Sequence, residues 1–198
     1  MNTGKIGMYI RPKLCVEHQN RISIIDSHDF SKVERKMKEL YPFMTEEYIT
    51  RGIFALKQYY ASALFDPSNG HAISKEIDPF WHVHMLFSKE YQGFCEAVVG
   101  EFMHHKPLER SSKKEMAKAR RLYRYTIQVL ENVFTKLDKH FWPKKNVDAH
   151  TICFHFGNGS MYTQIQAFRL FAPRGHAYEV WNHWASFYKE GDKKILLF

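Results

Sequence analysis

Asp78-Pro79-Phe80-Trp81-His82-Val83-His84-Met85-Leu86-Phe87 is the stretch on which the fold turns. Read as a strand, it puts His82 and His84 on one side, as in metal-binding barrels. Read as a helix, it sets the two imidazoles roughly 200° apart about the axis, so only one can face a given ion. Two residues select the helix. Asp78 is an N-cap type, able to accept from free backbone N–H groups. Pro79 then takes the first helical position, where its fixed φ suits and its missing N–H costs nothing. The helix runs through Phe87, and Ser88 caps a continuation from Lys89 to Val99 that closes near Gly100.

Outward from this stretch the pattern stays helical. Ser31 to Glu34 reads as a capping box ahead of Val33, Met37 and Leu40. Thr45 caps a helix whose apolar face is Ile49, Ile53, Leu56, Tyr60 and Leu64, and Asp66-Pro67 ends it. Ser112 to Glu115 is a second capping box. The 3–4 spacing of Met116, Ala119, Tyr123, Ile127, Leu130, Phe134, Leu137 and Phe141 predicts one long helix that Pro143 stops. The first 27 residues hold β-branched runs such as Ile22 to Ile25 and predict one or two short strands. After Pro143, His150–Phe156 and Tyr162–Phe171 read as a hairpin about Gly157-Asn158-Gly159-Ser160. Ala177 to Tyr188 reads as a short aromatic helix carrying Trp181 and Trp184. The expected class is mostly α (α+β). One domain spans 1–198, with a helical core at 28–143 and a small antiparallel hairpin and aromatic tail at 147–198.

Composition narrows the setting. The chain has 198 residues, 44% of them hydrophobic and 16% aromatic, enough for one domain with a thick core. No stretch approaches the roughly 20 apolar residues that span a bilayer, and Met1 to Ile10 lacks a signal-peptide h-region. No membrane role and a cytoplasmic location are therefore expected. Cys15, Cys95 and Cys153 are sparse and unpaired in spacing, as in a reducing compartment.

The chemistry-bearing residues gather at one place. Asp78, His82, His84, Cys95, His104 and His105 fall within 28 residues, and all are ligand types for first-row metals. Asp78, His82, His84, His104 and His105 are the candidate ligands or acid–base groups, for Zn, Fe or Mn. All but His82 also have a structural reading: Asp78 as an N-cap, His84 as a hydrogen-bonded buried imidazole, Cys95 as core, and His104 and His105 as complements to a helix dipole.

Asp78-x-x-Trp81-His82-x-His84-Met85-Leu86, with Tyr91, Phe94-Cys95, Gly100 and His105-x-Pro107, resembles the core motif of plant glycine-rich domain-containing proteins and their short bacterial relatives. The likeness extends back through Thr45–Leu64 and loosely forward to Trp142-Pro143, about half the chain. It brings no reaction with it. The plant members are linked to stress and hormone responses and carry extra domains, including a glycine-rich tail; residues 147–198 match none of them.

Elsewhere, Lys106 to Arg124 carries a basic run beside Tyr123 and Tyr125, on a chain of formal charge +8. It is a candidate face for an acidic partner or nucleic acid, against the alternative of a solvated helix face. Cys153 and His155 share one side of a strand and form a weak nucleophile pair without an orienting third group. Neither a P-loop nor a G-x-S-x-G elbow is present. The two functional expectations are thus a transition-metal-binding protein or metal-dependent enzyme, and a non-catalytic interaction module whose WHxH segment is structural.

Overall fold

The computed structural model describes residues 4–66, 69–104, 112–144 and 152–154. Among them are six α-helices: α1 (Val16–Ser27), α2 (Ser31–Leu40), α3 (Glu46–Phe65), α4 (Asp78–Leu86), α5 (Ser88–Val99) and α6 (Lys113–Val133). Strand β1 (Ala72–Ser74) pairs antiparallel with β2 (Ile152–Phe154), Ile73 opposite Cys153. The expected mostly helical class holds. Of the expected hairpin, only Ile152–Phe154 lies within the described residues; Tyr162–Phe171, the tail helix and the side chains of Cys153 and His155 lie outside them.

α3 is the axis of the fold. Its apolar positions recur on every side, so the helix is buried nearly all round, and α1, α2, α4, α5 and α6 all pack on it. Thr45 caps it as expected, its Oγ1 accepting from Tyr48 N at 3.1 Å. Gly52 sets how closely α4 approaches. A Cβ built there would lie 2.2 Å from the Phe80 ring, and Phe80 is fully buried.

Several expectations are corrected, among them the Ser88 cap: Ser88 is the first residue of α5, Phe87 holds the cap position, and no side chain caps that end. Residues 16–27 are helix, not strand: Ile22 and Ile25, three apart, share a buried face, while Ile24 between them is exposed. The Ser31 box does not form. Asp29 takes its place, its carboxylate accepting from Ser31 N at 2.9 Å and Ser31 Oγ at 3.0 Å. α6 begins with the Ser112 cap, Oγ accepting from Glu115 N at 3.3 Å, but it ends at Val133, short of Phe141. Phe134 turns extended and bridges to Ile10. The N-terminal segment pairs there with the chain leaving the helix: Arg11 N donates to Val133 O and Thr135 N to Tyr9 O, both at 2.7 Å.

The chain from Phe134 to Trp142 then folds back against α3. Arg51 grips Asp138 with two hydrogen bonds, and Gln58 donates to Lys136 O and accepts from the Trp142 indole. Asp78 is the first residue of α4, with Ile77 at the cap position. Its carboxylate is therefore not the N-cap, and it is fully buried. α5 closes at Gly100 with φ +89°, a left-handed cap that glycine adopts without a Cβ penalty.

Candidate functional site

Trp81 fixes the register of the WHxH segment. It is fully buried, and its indole N–H donates to the Tyr91 hydroxyl at 2.9 Å, which donates on to Met103 O at 2.8 Å. With Trp81 turned into the core, His84, three residues on, turns inward too. His84 is buried among Phe30, Phe94, Tyr60 and Tyr91, with ring centres 5.2–5.7 Å away.

Both nitrogens of His84 are engaged. Nδ1 lies 2.7 Å from the Tyr60 hydroxyl, and Nε2 lies 3.2 Å from Nε2 of His28. A neutral imidazole has one donor and one acceptor, so two assignments satisfy the chain. Either Tyr60 donates to Nδ1 and His84 Nε2–H donates to His28, or both bonds run the other way. Burial, with His28 alongside, lowers His84 to a pKa of about 3. Burial likewise lowers His28, against the pull of Asp29 and Glu90. Both rings are therefore neutral at neutral pH. His28 is half-buried, packed on Phe30 and Phe94 at 4.7 and 4.5 Å, so the pair opens to the surface on its side.

The five-residue ligand set of the sequence does not assemble among the described residues. His82 lies with Asp78, Nε2 to Oδ1 3.6 Å, at the distance of an i, i+4 pair. His104 is exposed against Phe102, ring centres 4.8 Å apart. His105 lies outside the described residues. Helical geometry separates His82 from His84, as the angle between them requires. Cys95 is buried beside Tyr91, its thiol pushed up by burial, which fits the core reading. Among the described residues, no three His, Cys, Asp or Glu side chains converge so as to hold a metal ion.

The sequence reading missed His28 altogether and took Tyr60 only as an apolar-face residue. His28 lies 56 positions before His84, and no local spacing announces such a partner. Tyr60 gave half a signal, since a tyrosine on a buried face needs a partner for its hydroxyl.

A second buried titratable group also escaped notice. Glu76, in the turn before α4, is 5% exposed, and its Oε2 has no hydrogen-bond partner among the described residues. Lys75 Nζ stands 3.8 Å from its other oxygen. Burial outweighs that lysine and raises the Glu76 carboxyl to about 7.

A family model described as UCP032817-like matches residues 20–141, well over half of the chain. His28, Tyr60, Glu76 and His84 all lie inside the matched stretch. No curated protein and no solved structure matches. No helix among the described residues is long and apolar enough to cross a membrane.

Proposed function

The chain belongs to the UCP032817-like family, and we propose that it binds a first-row transition-metal ion, Zn, Fe or Mn, through the imidazoles of His84 and His28. The observation that carries this reading is the pair of facing Nε2 atoms 3.2 Å apart. An ion held about 2.0–2.1 Å from each nitrogen subtends an angle of roughly 100° at that separation, near tetrahedral. The protein already supplies the form a ligand must take, since both imidazoles are neutral. Tyr60 on Nδ1 of His84 occupies the position where an outer partner fixes ring orientation and tautomer. The remaining coordination positions fall to water or a substrate oxygen, which is the open arrangement a metal-dependent enzyme needs.

The competing account is a hydrogen bond between two buried rings with no ion. Metal analysis of protein purified without chelator separates the two, together with calorimetric titration by Zn, Mn and Fe(II). The proposal expects binding, a melting temperature that rises with added metal, and loss of both in His28→Ala and His84→Gln. A metal-free protein whose melting temperature ignores added ions and EDTA sinks it.

A further inference from the structure

Several of the described cations sit against carboxylates. Arg21, Lys32, Lys36, Lys38, Arg51 and Lys144 each pair with a carboxylate, on Glu17, Glu90, Glu39, Glu46, Asp138 and Glu131 respectively. On α6, Lys113, Lys114, Lys118, Arg121 and Arg124 are all exposed, while Met116, Ala119, Tyr123, Ile127 and Leu130 anchor its other side in the core. Lys113, Lys114, Arg121 and Arg124 form no ion pair with a described residue. Glu115 in the first turn is partly exposed, and from Met116 to Leu130 α6 carries no other acidic side chain.

This arrangement opposes the stability of the helix that carries it. Lys113 and Lys114 sit in the first turn, where the helix dipole disfavours positive charge, with Glu115 beside them as the one favoured carboxylate. Lys114–Lys118 and Arg120–Arg124 are like-charged pairs four apart, and Lys118–Arg121 and Arg121–Arg124 are three apart. A merely solvated face has no need to concentrate one sign of charge at that end.

We propose that the exposed face of α6 binds the phosphate backbone of a nucleic acid, independently of any metal. From Lys114 to Arg124 the stripe runs about 15 Å along the helix, with a cation every three or four residues. That length covers roughly four steps of a duplex at 3.4 Å per phosphate on each strand. A protein partner would call for a central apolar or aromatic anchor and few lysines. A membrane surface would call for an apolar face beneath the basic one. None of the large exposed hydrophobics among the described residues, Met8, Val16, Ile24, Leu86 and Phe102, lies on α6.

The test is fluorescence anisotropy on the full chain with labelled random 20-mers, single- and double-stranded, of DNA and RNA. Polyglutamate and phosphatidylserine vesicles serve as the competing probes. Binding is expected at 50 mM salt, weakening with salt along a log–log slope of about −4 for four to five phosphate contacts. Arg121→Glu with Arg124→Glu should weaken binding about tenfold or more and flatten the slope by about 2. Arg121→Gln with Arg124→Gln should show a smaller loss in the same direction, and circular dichroism should report both variants folded. The proposal is overturned if no nucleic acid binds at 50 mM salt, if both double variants bind as the wild type does, or if polyglutamate or the vesicles bind as tightly.

Discussion

The two ends of α4 bury titratable groups in opposite ways. At its C-terminal end, His84 meets a partner at each nitrogen, Tyr60 on one side and His28 on the other. Just before its N-terminal end, Glu76 is almost as deeply buried but keeps one carboxyl oxygen without a hydrogen-bond partner among the described residues. A buried polar group left unsatisfied costs far more than one that is paired. The imidazole meets that demand by staying neutral and sharing both its nitrogens. The carboxyl meets it by holding a proton, which is why its pKa rises to about 7. One end is settled by geometry, and the other by pH.

The largest way to break this comparison is to remove what holds both ends in register. Trp81 lies between them, fully buried, with its N–H on Tyr91. Trp81→Ala is expected to cost about 3–5 kcal/mol through the cavity it opens, with the loss of the hydrogen bond that the Tyr91 hydroxyl accepts from the indole adding to it. Urea unfolding monitored by far-UV circular dichroism reads it. A loss below about 1 kcal/mol would show that the core does not organise α4.

Glu76 offers the next largest effect, and its sign is fixed. Its folded pKa lies above the ordinary 4.5, so the folded state holds the proton more tightly than the unfolded chain does. The stabilisation is complete below about pH 4.5 and is lost as pH rises through about 7. Across that window the change is of the order of 3 kcal/mol. Glu76→Gln keeps the shape without the titration. Unfolding free energies of both proteins at pH 5 and pH 8, in EDTA, should converge at pH 5, with the variant the more stable at pH 8. Parallel pH profiles would mean that Glu76 is not the buried acid described above. Tyr60→Phe probes the other end more gently. It strips Nδ1 of His84 of its partner, at about 1–3 kcal/mol. If His84 holds a metal, it also weakens metal affinity by about 10- to 100-fold.

How much of this was legible in the sequence follows from how far each interaction reaches along the chain. The Thr45 and Ser112 caps, the Gly100 terminator and the helical reading of the WHxH stretch rest on residues within a turn of each other and hold. Other equally local cap readings fail, with Asp29 binding Ser31, Ile77 taking the cap position before Asp78 and Phe87 taking it before Ser88. The strand expected near Ile22 and the overlong last helix failed for a different reason. Ile22 is helical because α3 and α5 lie against it, and Phe134 is extended because Ile10 pairs with it. The same limit governs the site. His82 and His84 stand out by proximity in sequence, yet the ring facing His84 belongs to His28 on another element. Glu76 looks like any surface glutamate until the fold closes over it.

The smallest expected effect decides between the sequence reading of the site and the structural one. If Asp78, His82 and His84 were ligands of one ion, His82→Gln would abolish metal binding as surely as His84→Gln. The helix separates them: His84 turns to His28 and Tyr60, while His82 keeps 28% of its side chain exposed and stands 3.6 Å from the buried Asp78 carboxylate. Burial lowers the His82 pKa to about 4, so near neutral pH the ring is neutral and the contact with Asp78 is not a full ion pair. Gln retains a polar N–H that can point to that carboxylate. The substitution should therefore cost roughly 1 kcal/mol or less, as for a partly exposed polar position, and leave the response to metal unchanged. Thermal melts of His82→Gln with and without added Zn read both quantities at once. Loss of the metal response in this variant, with His28→Ala retaining it, would move the site from the His28–His84 pair to the Asp78–His82 face of α4.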